Sequence, residues 1–213
     1  MKISIAEGFY LIALDDEEGR ILAAAEKNVV PGVISACILE LYLQKKVSLA
    51  NGVIKVVDTI GTGNGILDNV LKKLRSGEPI VAQVKAMVGK FKDIQEDLNA
   101  LLAQRGILKK EETKLLWIPL SDRMDNANYA FEQEIRNQLR AIVFKNAKAT
   151  AAFTILYSLI DYCNILDEVF KDHDEFIDAE KVGKDLIETS GISANLSNAL
   201  RELKAYFATL GEY

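Results

Sequence analysis

The sequence is poor in the residues on which most metal sites and nucleophilic enzymes depend. His173 is the only histidine among 213 residues, and Cys37 and Cys163 are the only cysteines. A zinc site needs several nitrogen or sulfur ligands, and a Ser-His-Asp triad needs a histidine beside its nucleophile. His173 lies in the acidic stretch FKDHDEF, which is typical of a solvated helix start. We therefore predict no catalytic residues, no metal ligands and no cofactor.

Membrane spans and disulfides are also disfavoured. The two cysteines lie far apart in apolar segments, which favours buried free thiols in a reducing cytosol over a disulfide. No run approaches the ~20 apolar residues of a membrane-spanning helix. The first residues, MKISIAEGFYLIALDDEE, have no small-residue cleavage site and soon become acidic, so they do not resemble a signal peptide. We expect a cytoplasmic protein, either free or peripheral at a membrane.

Net charge limits the choice of partner. The chain has 26 lysine and arginine residues against 31 aspartate and glutamate residues, a formal net charge of -5. This balance argues against a whole-molecule attraction to nucleic acid, which is the partner that the sequence disfavours. Basic residues do cluster locally, and the clusters fit either a solvated helix surface or a patch that faces phosphates. They are Lys72, Lys73 and Arg75, then Lys85, Lys90 and Lys92, then Lys109 and Lys110.

Helical periodicity dominates the chain. There are only three prolines, 49% of the residues are hydrophobic, and no linker rich in Pro, Gly or Ser divides the sequence. We therefore predict one domain over residues 1–213. Apolar spacing indicates about eight helices, of which the second opens at Pro31 and the last is capped by Ser193. Residues 150–170 are apolar on almost every side, which predicts a central helix. The predicted fold class is predominantly α: a central helix bundle with surrounding amphipathic helices and two small β-hairpins.

The first predicted hairpin turns at Asn51-Gly52 within VSLANGVIKVVD, because both residues of this pair tolerate positive φ. The glycine-rich segment that follows, VVDTIGTGNGILD, resembles a dinucleotide-binding loop only superficially. A phosphate cradle needs the spacing G-x-G-x-x-G, and here Gly65 comes one residue early. We predict instead a helix start that is capped by Thr62 or Asn64, with Asp68 in its first turn.

The second hairpin is predicted near residues 110–113, as a charged turn between the apolar runs 107–108 and 115–118. The second run contains the only tryptophan of the chain, Trp117. A short apolar edge of this kind invites contact with a membrane or with another subunit. We expect Leu115, Leu116 and Trp117 to form this contact surface. A helix capped at residue 125 or 126 should follow.

The order of four segments resembles the Golgi phosphoprotein family, whose members are phosphatidylinositol-4-phosphate effectors with many bacterial relatives. The segments are EGFYLIALDDEEGRI, GVISACILELYLQKKVSL, GTGNGILDNVLKKL and LAQRGILKKEETKLLWIPL. The resemblance covers most of the chain, is firmest over residues 1–120, and points to a bacterial-type relative. It implies a mostly α-helical domain with a projecting β-hairpin that supports membrane contact and oligomerisation.

The resemblance also implies a lipid-headgroup pocket, which eukaryotic members build from one tryptophan and three arginines. In this chain Ala25 falls at the position of the tryptophan, and Ile34 falls at the first arginine. Lys92 and Gln95 fall at the other two arginines, so that one cationic side chain remains. Neither Lys nor Gln reproduces the bidentate grip of Arg on phosphate. We expect the four positions to lie close together in the fold.

Two functions follow from these observations. The first is a peripheral membrane adaptor that binds anionic phospholipid headgroups although its lipid pocket is largely replaced. The alternative is a cytosolic helical module without phosphoinositide binding, which contacts a protein partner or forms a homo-oligomer through its hairpin. A winged-helix nucleic-acid reader ranks last, because the helix ISACILELYLQ lacks a basic outer face.

Overall fold

The computed structural model describes residues 3–15, 20–111, 114–115, 118–119, 123–126, 129–145 and 147–211. Helices dominate these residues and surround one contiguous hydrophobic core, so the predicted α-helical fold class is confirmed. None of the described helices combines the length and apolarity that crossing a bilayer requires. The helices are α1 (Ile5–Ile12), α2 (Val29–Leu43), α3 (Gly65–Lys73), α4 (Ile80–Val88), α5 (Ile94–Gln104), α6 (Tyr129–Phe144), α7 (Ala151–Tyr162), α8 (His173–Thr189) and α9 (Ala194–Leu210).

Helix α1 is short, yet every one of its residues is buried. Its start is a capping box: the Ser4 hydroxyl accepts from the Glu7 amide, and the Glu7 carboxylate accepts from the Ser4 amide. A second carboxylate, that of Glu40 in α2, accepts from the Ile5 amide at 2.7 Å. Two carboxylates and one hydroxyl therefore accept from the amides of Ser4, Ile5 and Glu7, which helps a helix of two turns to sit inside the core.

Helix α2 packs against α1, α3, α4 and α7 and occupies the middle of the fold. Pro31 lies in its first turn as predicted, although the helix begins two residues earlier, at Val29. At Gly32 the helix approaches α1 so closely that the Phe9 ring occupies the space where a Cβ would be. The predicted central helix is α7, which is also largely buried but ends at Tyr162, before the left-handed residue Asn164.

The described residues also include seven short strands, all of which pair antiparallel: β1 (Val47–Ala50), β2 (Val53–Val56), β3 (Glu78–Pro79), β4 (Leu108–Glu111), β5 (Lys114–Leu115), β6 (Ile118–Pro119) and β7 (Arg123–Asn126). The first hairpin, β1–β2, turns at Asn51 and Gly52 with positive φ at both, as predicted. The sequence reasoning missed β3, which adds a third strand beside β2.

The second hairpin lies in the predicted region, but Lys110 and Glu111, which were predicted to lie in its turn, belong to a strand. Lys110 is part of β4 and pairs with Met124 of β7, so the charged residues belong to a ladder. Further along, Leu115 of β5 pairs with Ile118 of β6 in a second antiparallel ladder. The predicted cap at residues 125–126 is wrong for the same reason, because both residues belong to β7. Helix α6 begins only at Tyr129.

Candidate functional site

Two of the four pocket positions lie inside the core. Ala25 ends a short 3-10 turn, Ala23–Ala25, and is fully buried. Ile34 lies within α2, and none of its surface reaches solvent. A buried methyl group and a buried branched aliphatic chain cannot bind a phosphate, because they offer it neither charge nor a hydrogen-bond donor. At these two positions the chain has core residues instead of a headgroup site.

The other two positions lie at the start of α5. Lys92 is exposed in the turn that precedes the helix, and Gln95 is half-buried in its first turn. The Tyr10 hydroxyl of α1 reaches this turn: it donates to Asn99 Oδ1 at 2.9 Å and lies 3.5 Å from the Gln95 carbonyl oxygen. Burial raises the pKa of the Tyr10 phenol, so it stays a neutral donor.

Helix α1 thus contacts both α2, which contains Ile34, and α5, which contains Gln95. That Ala25, Ile34, Lys92 and Gln95 lie close together stays a prediction. Of their side chains, only that of Lys92 carries a charge that an anionic lipid could meet. One flexible ammonium attracts phosphate as a point charge and gives little geometric selection.

The base of the second hairpin is held by a buried ion pair that the sequence reasoning missed. Arg105 follows α5 and comes three residues before β4, and its guanidinium donates to Glu7 Oε1 of α1 at 2.6 Å. The Arg105 side chain is 18% exposed and that of Glu7 only 1%. The spacing of Ser4 and Glu7 is the capping-box pattern, so the sequence could have predicted the role of Glu7 at the helix start. It could not have predicted the pairing with Arg105, which lies 98 residues away.

The contact residues predicted on the hairpin divide between described and undescribed parts of the chain. Leu115 belongs to β5 and pairs with Ile118. Leu116 and Trp117 lie outside the described residues. The predicted contact surface therefore stays a prediction, while the ladder that leads to it is part of the structure.

The glycine-rich loop is a capped helix start, as predicted. Asn64 accepts from the Ile66 and Leu67 amides at the start of α3. The Asp68 carboxylate folds back and accepts from both the amide and the hydroxyl of Thr62, at 2.6 and 2.8 Å. These hydrogen bonds hold the pKa of Asp68 below its ordinary value. A carboxylate of the chain itself therefore occupies the place where a phosphate cradle would bind its anion.

The described residues contain no cluster of three or more His, Cys, Asp and Glu side chains that could hold a metal ion. His173 opens α8 directly after its cap, Asp172, and is exposed, as the acidic stretch predicts. Cys37 and Cys163 are both free and fully buried, as predicted, and burial raises the pKa of each thiol. Neither thiol is therefore a ready nucleophile.

Comparison with known proteins places this geometry in a wider group. A family model described as Golgi phosphoprotein 3 (GPP34) matches residues 5–203. No curated protein matches the chain. The matched range begins at the first residue of α1 and ends within α9, so it includes both hairpins and all four pocket positions.

Proposed function

Because the chain belongs to the Golgi phosphoprotein 3 (GPP34) family, we propose that it is a non-enzymatic adaptor that attaches peripherally to membranes. The family match over residues 5–203 is the observation that carries this proposal. The buried Glu7–Arg105 pair supports it, because a hairpin with a fixed base can present its far end to a surface. The adaptor is expected to dock on anionic lipid and to present its helical body to partners.

The residues at the pocket positions favour binding that depends on the negative charge of the membrane and not on the identity of the lipid headgroup. Ala25 and Ile34 are enclosed in the core, and Gln95 is uncharged, so the positions that would grip a phosphate offer one ammonium, that of Lys92. Attraction between an exposed ammonium and a lipid surface depends on surface charge density and on salt. Binding through this chain should therefore follow the anionic content of the membrane.

Vesicle co-sedimentation tests this expectation. We expect the protein to bind vesicles that contain phosphatidylinositol-4-phosphate no more than about twofold more tightly than phosphatidylserine vesicles of equal surface charge. The physical reason is that the pocket positions hold no arginine, whose guanidinium could form two parallel hydrogen bonds to one phosphate. Neutral phosphatidylcholine vesicles serve as the control. A preference of tenfold or more for the phosphoinositide would show that a stereospecific headgroup site survives, and that the pocket assignment is wrong.

Tryptophan fluorescence tests the role of the hairpin, since Trp117 is the only tryptophan. If the hairpin enters the interface of an anionic membrane, the emission should shift to the blue with anionic vesicles and stay unchanged with neutral ones. Substitution Trp117→Ala should then weaken binding. If the emission is already blue-shifted in dilute buffer and does not change with either kind of vesicle, the Trp117 side chain packs under its own helices. The hairpin would then not be a membrane contact.

A second candidate function is a self-associating interaction module. The enclosed apolar residues Ala25 and Ile34 favour it, because they leave these two positions without a side chain that could bind the phosphate of a phosphoinositide. In this case the blue shift should appear with rising protein concentration and no lipid. Analytical ultracentrifugation over the same concentrations should show the matching increase in mass, and Trp117→Ala should reduce it.

A further inference from the structure

The loop that joins β2 to α3 presents apolar side chains to solvent. Among the described residues three large apolar side chains are exposed, and two of them, Val57 and Ile60, lie in this loop. Val57 is 61% exposed and Ile60 is 73% exposed. Ile60 comes three positions after Val57, so their Cα atoms lie within about 10 Å of each other. Single exposed apolar residues are ordinary, but two of this size in one loop form a local apolar site.

Hydrogen bonds hold the backbone of this loop in place. The Val57 and Asp58 amides both donate to the Lys46 carbonyl oxygen, at 2.9 and 3.1 Å. The Asp58 carboxylate accepts from the Ile60 amide at 2.8 Å and from Lys46 Nζ at 2.6 Å. At the other end of the loop, the Asp68 carboxylate accepts a hydrogen bond from the Thr62 amide. Because these amides are bonded within the chain, the loop offers a partner its side chains rather than its backbone.

The stretch of chain that contains the loop carries more basic than acidic residues. Residues 45–78 carry six lysine and arginine residues against three aspartate and glutamate residues, a net charge of +3. The rest of the chain carries 20 against 28, a net charge of -8. Lys55 lies just before the loop and is exposed. Arg75 is exposed as well, and its chain segment lies next to β2, because the following residue, Ser76, accepts from the Val56 amide at 2.9 Å. The Arg75 guanidinium lies 3.8 Å from the Glu78 carboxylate and stays 68% exposed.

We propose that this loop, residues 57–63, is a second membrane-contacting element that inserts Val57 and Ile60 into an anionic lipid surface while Lys55 and Arg75 face the headgroups. The combination of exposed aliphatic side chains with flanking cations matches the two attractions that hold peripheral proteins on such a surface. A protein-binding hot spot would instead be rich in tryptophan and tyrosine, which the loop lacks. The proposal rests on peripheral membrane attachment, and it adds a contact that is separate from the second hairpin.

A probe at residue 60 tests insertion directly. Substitution Ile60→Cys introduces a thiol that can be labelled selectively with an environment-sensitive fluorophore, because Cys37 and Cys163 are both fully buried. The label should brighten and shift to the blue on phosphatidylcholine vesicles mixed with phosphatidylserine, and should not respond to phosphatidylcholine alone. A label that stays in water on vesicles, or that is shielded only as protein concentration rises, would overturn the lipid assignment.

Two double variants measure the contribution to binding. Val57→Ser with Ile60→Ser should weaken binding to the mixed vesicles by about tenfold without lowering the thermal midpoint, since both side chains are mostly in solvent. Lys55→Glu with Arg75→Glu should weaken it on the order of tenfold or more. The matched control, Lys148→Glu with Lys181→Glu, makes the same charge change at exposed lysines elsewhere and should have a much smaller effect.

The outcomes separate this proposal from the broader one. If the unaltered protein binds anionic vesicles and the serine variant binds them equally well, the loop proposal fails while attachment through the hairpin stands. If the unaltered protein binds neither kind of vesicle, peripheral attachment and the loop proposal fail together. If the control variant loses as much binding as Lys55→Glu with Arg75→Glu, the attraction is not local to this loop and the proposal fails.

Discussion

Substitution Gly32→Ala is expected to destabilise the protein by about 2–3 kcal/mol, because it adds an atom to a site that is already full. A Cβ on Gly32 would lie 2.4 Å from Phe9 Cζ and 2.5 Å from Cε1. Carbon atoms in contact are normally ~3.5–4 Å apart. Phe9 is itself fully buried, so its ring has no free volume to enter, and α1 would have to move away from α2.

Whether Gly32→Ala raises or lowers the stability is the informative result. In a helix interior alanine is more favourable than glycine by about 1 kcal/mol, so the substitution would stabilise α2 if the space were free. Gly89→Ala is the matched control, because Gly89 directly follows α4 with φ -73° and its added Cβ would meet no atom within 4 Å from other parts of the chain. It should change the stability by less than about 0.5 kcal/mol. Urea unfolding followed by circular dichroism measures both variants.

A double-mutant cycle identifies the cause. Phe9→Leu removes the ring atoms nearest to the added Cβ, so Gly32→Ala should cost less in that background than in the original protein. The expected coupling is about 1 kcal/mol or more, which is typical of residues in contact. A Gly32→Ala variant as stable as the parent, or a cycle without coupling, would contradict the close approach of α1 to α2 at Phe9.

Substitution Arg105→Leu should cost about 3 kcal/mol of stability. It removes a guanidinium that donates at 2.6 Å to a carboxylate of which only 1% is exposed. The Glu7 carboxylate would keep its hydrogen bond from the Ser4 amide but would lose this buried cationic partner. Since Arg105 comes just before the second hairpin, hydrogen exchange should also become faster at the amides of β4 than in α9.

The controls for Arg105 separate a buried pair from an exposed one. Lys181 pairs with Asp178 at 3.0 Å, but the two side chains are 67% and 57% exposed. Lys181→Met should therefore change stability by less than about 0.5 kcal/mol. Adding Glu7→Gln to Arg105→Leu should recover part of the loss, because no uncompensated charge then remains inside. A loss for Arg105→Leu no larger than that for Lys181→Met would mean that the pair contributes little.

Local signals in the sequence correctly predicted one turn and two helix caps. Asn51 and Gly52 form the predicted turn, because positive φ is a property of those two residues. Asn64 and Ser193 cap α3 and α9, because a capping side chain needs only the amides two or three residues ahead. The order of such local segments was also sufficient for the family resemblance, and the match over residues 5–203 confirms it.

The second hairpin is a feature that short stretches of sequence could not predict correctly. Charged residues around Lys110 resemble a turn, yet Lys110 lies in a ladder with Met124. Strand register depends on which partner strand is available and on the turn that joins the two, and neither is visible in a window of a few residues. The third strand, at Glu78 and Pro79, was missed for the same reason: two residues become a strand only beside β2.

The sequence alone determined the helical class, the helix starts capped by Asn64 and Ser193, and the first turn, since each depends on residue type and on close spacing. Tertiary structure decided that Ala25 and Ile34 are enclosed and that Glu7 meets Arg105. It also decided that Val57 and Ile60 stay in solvent. An apolar residue is pulled into the core only where another element is placed to cover it, and that placement is set by the packing of the whole chain.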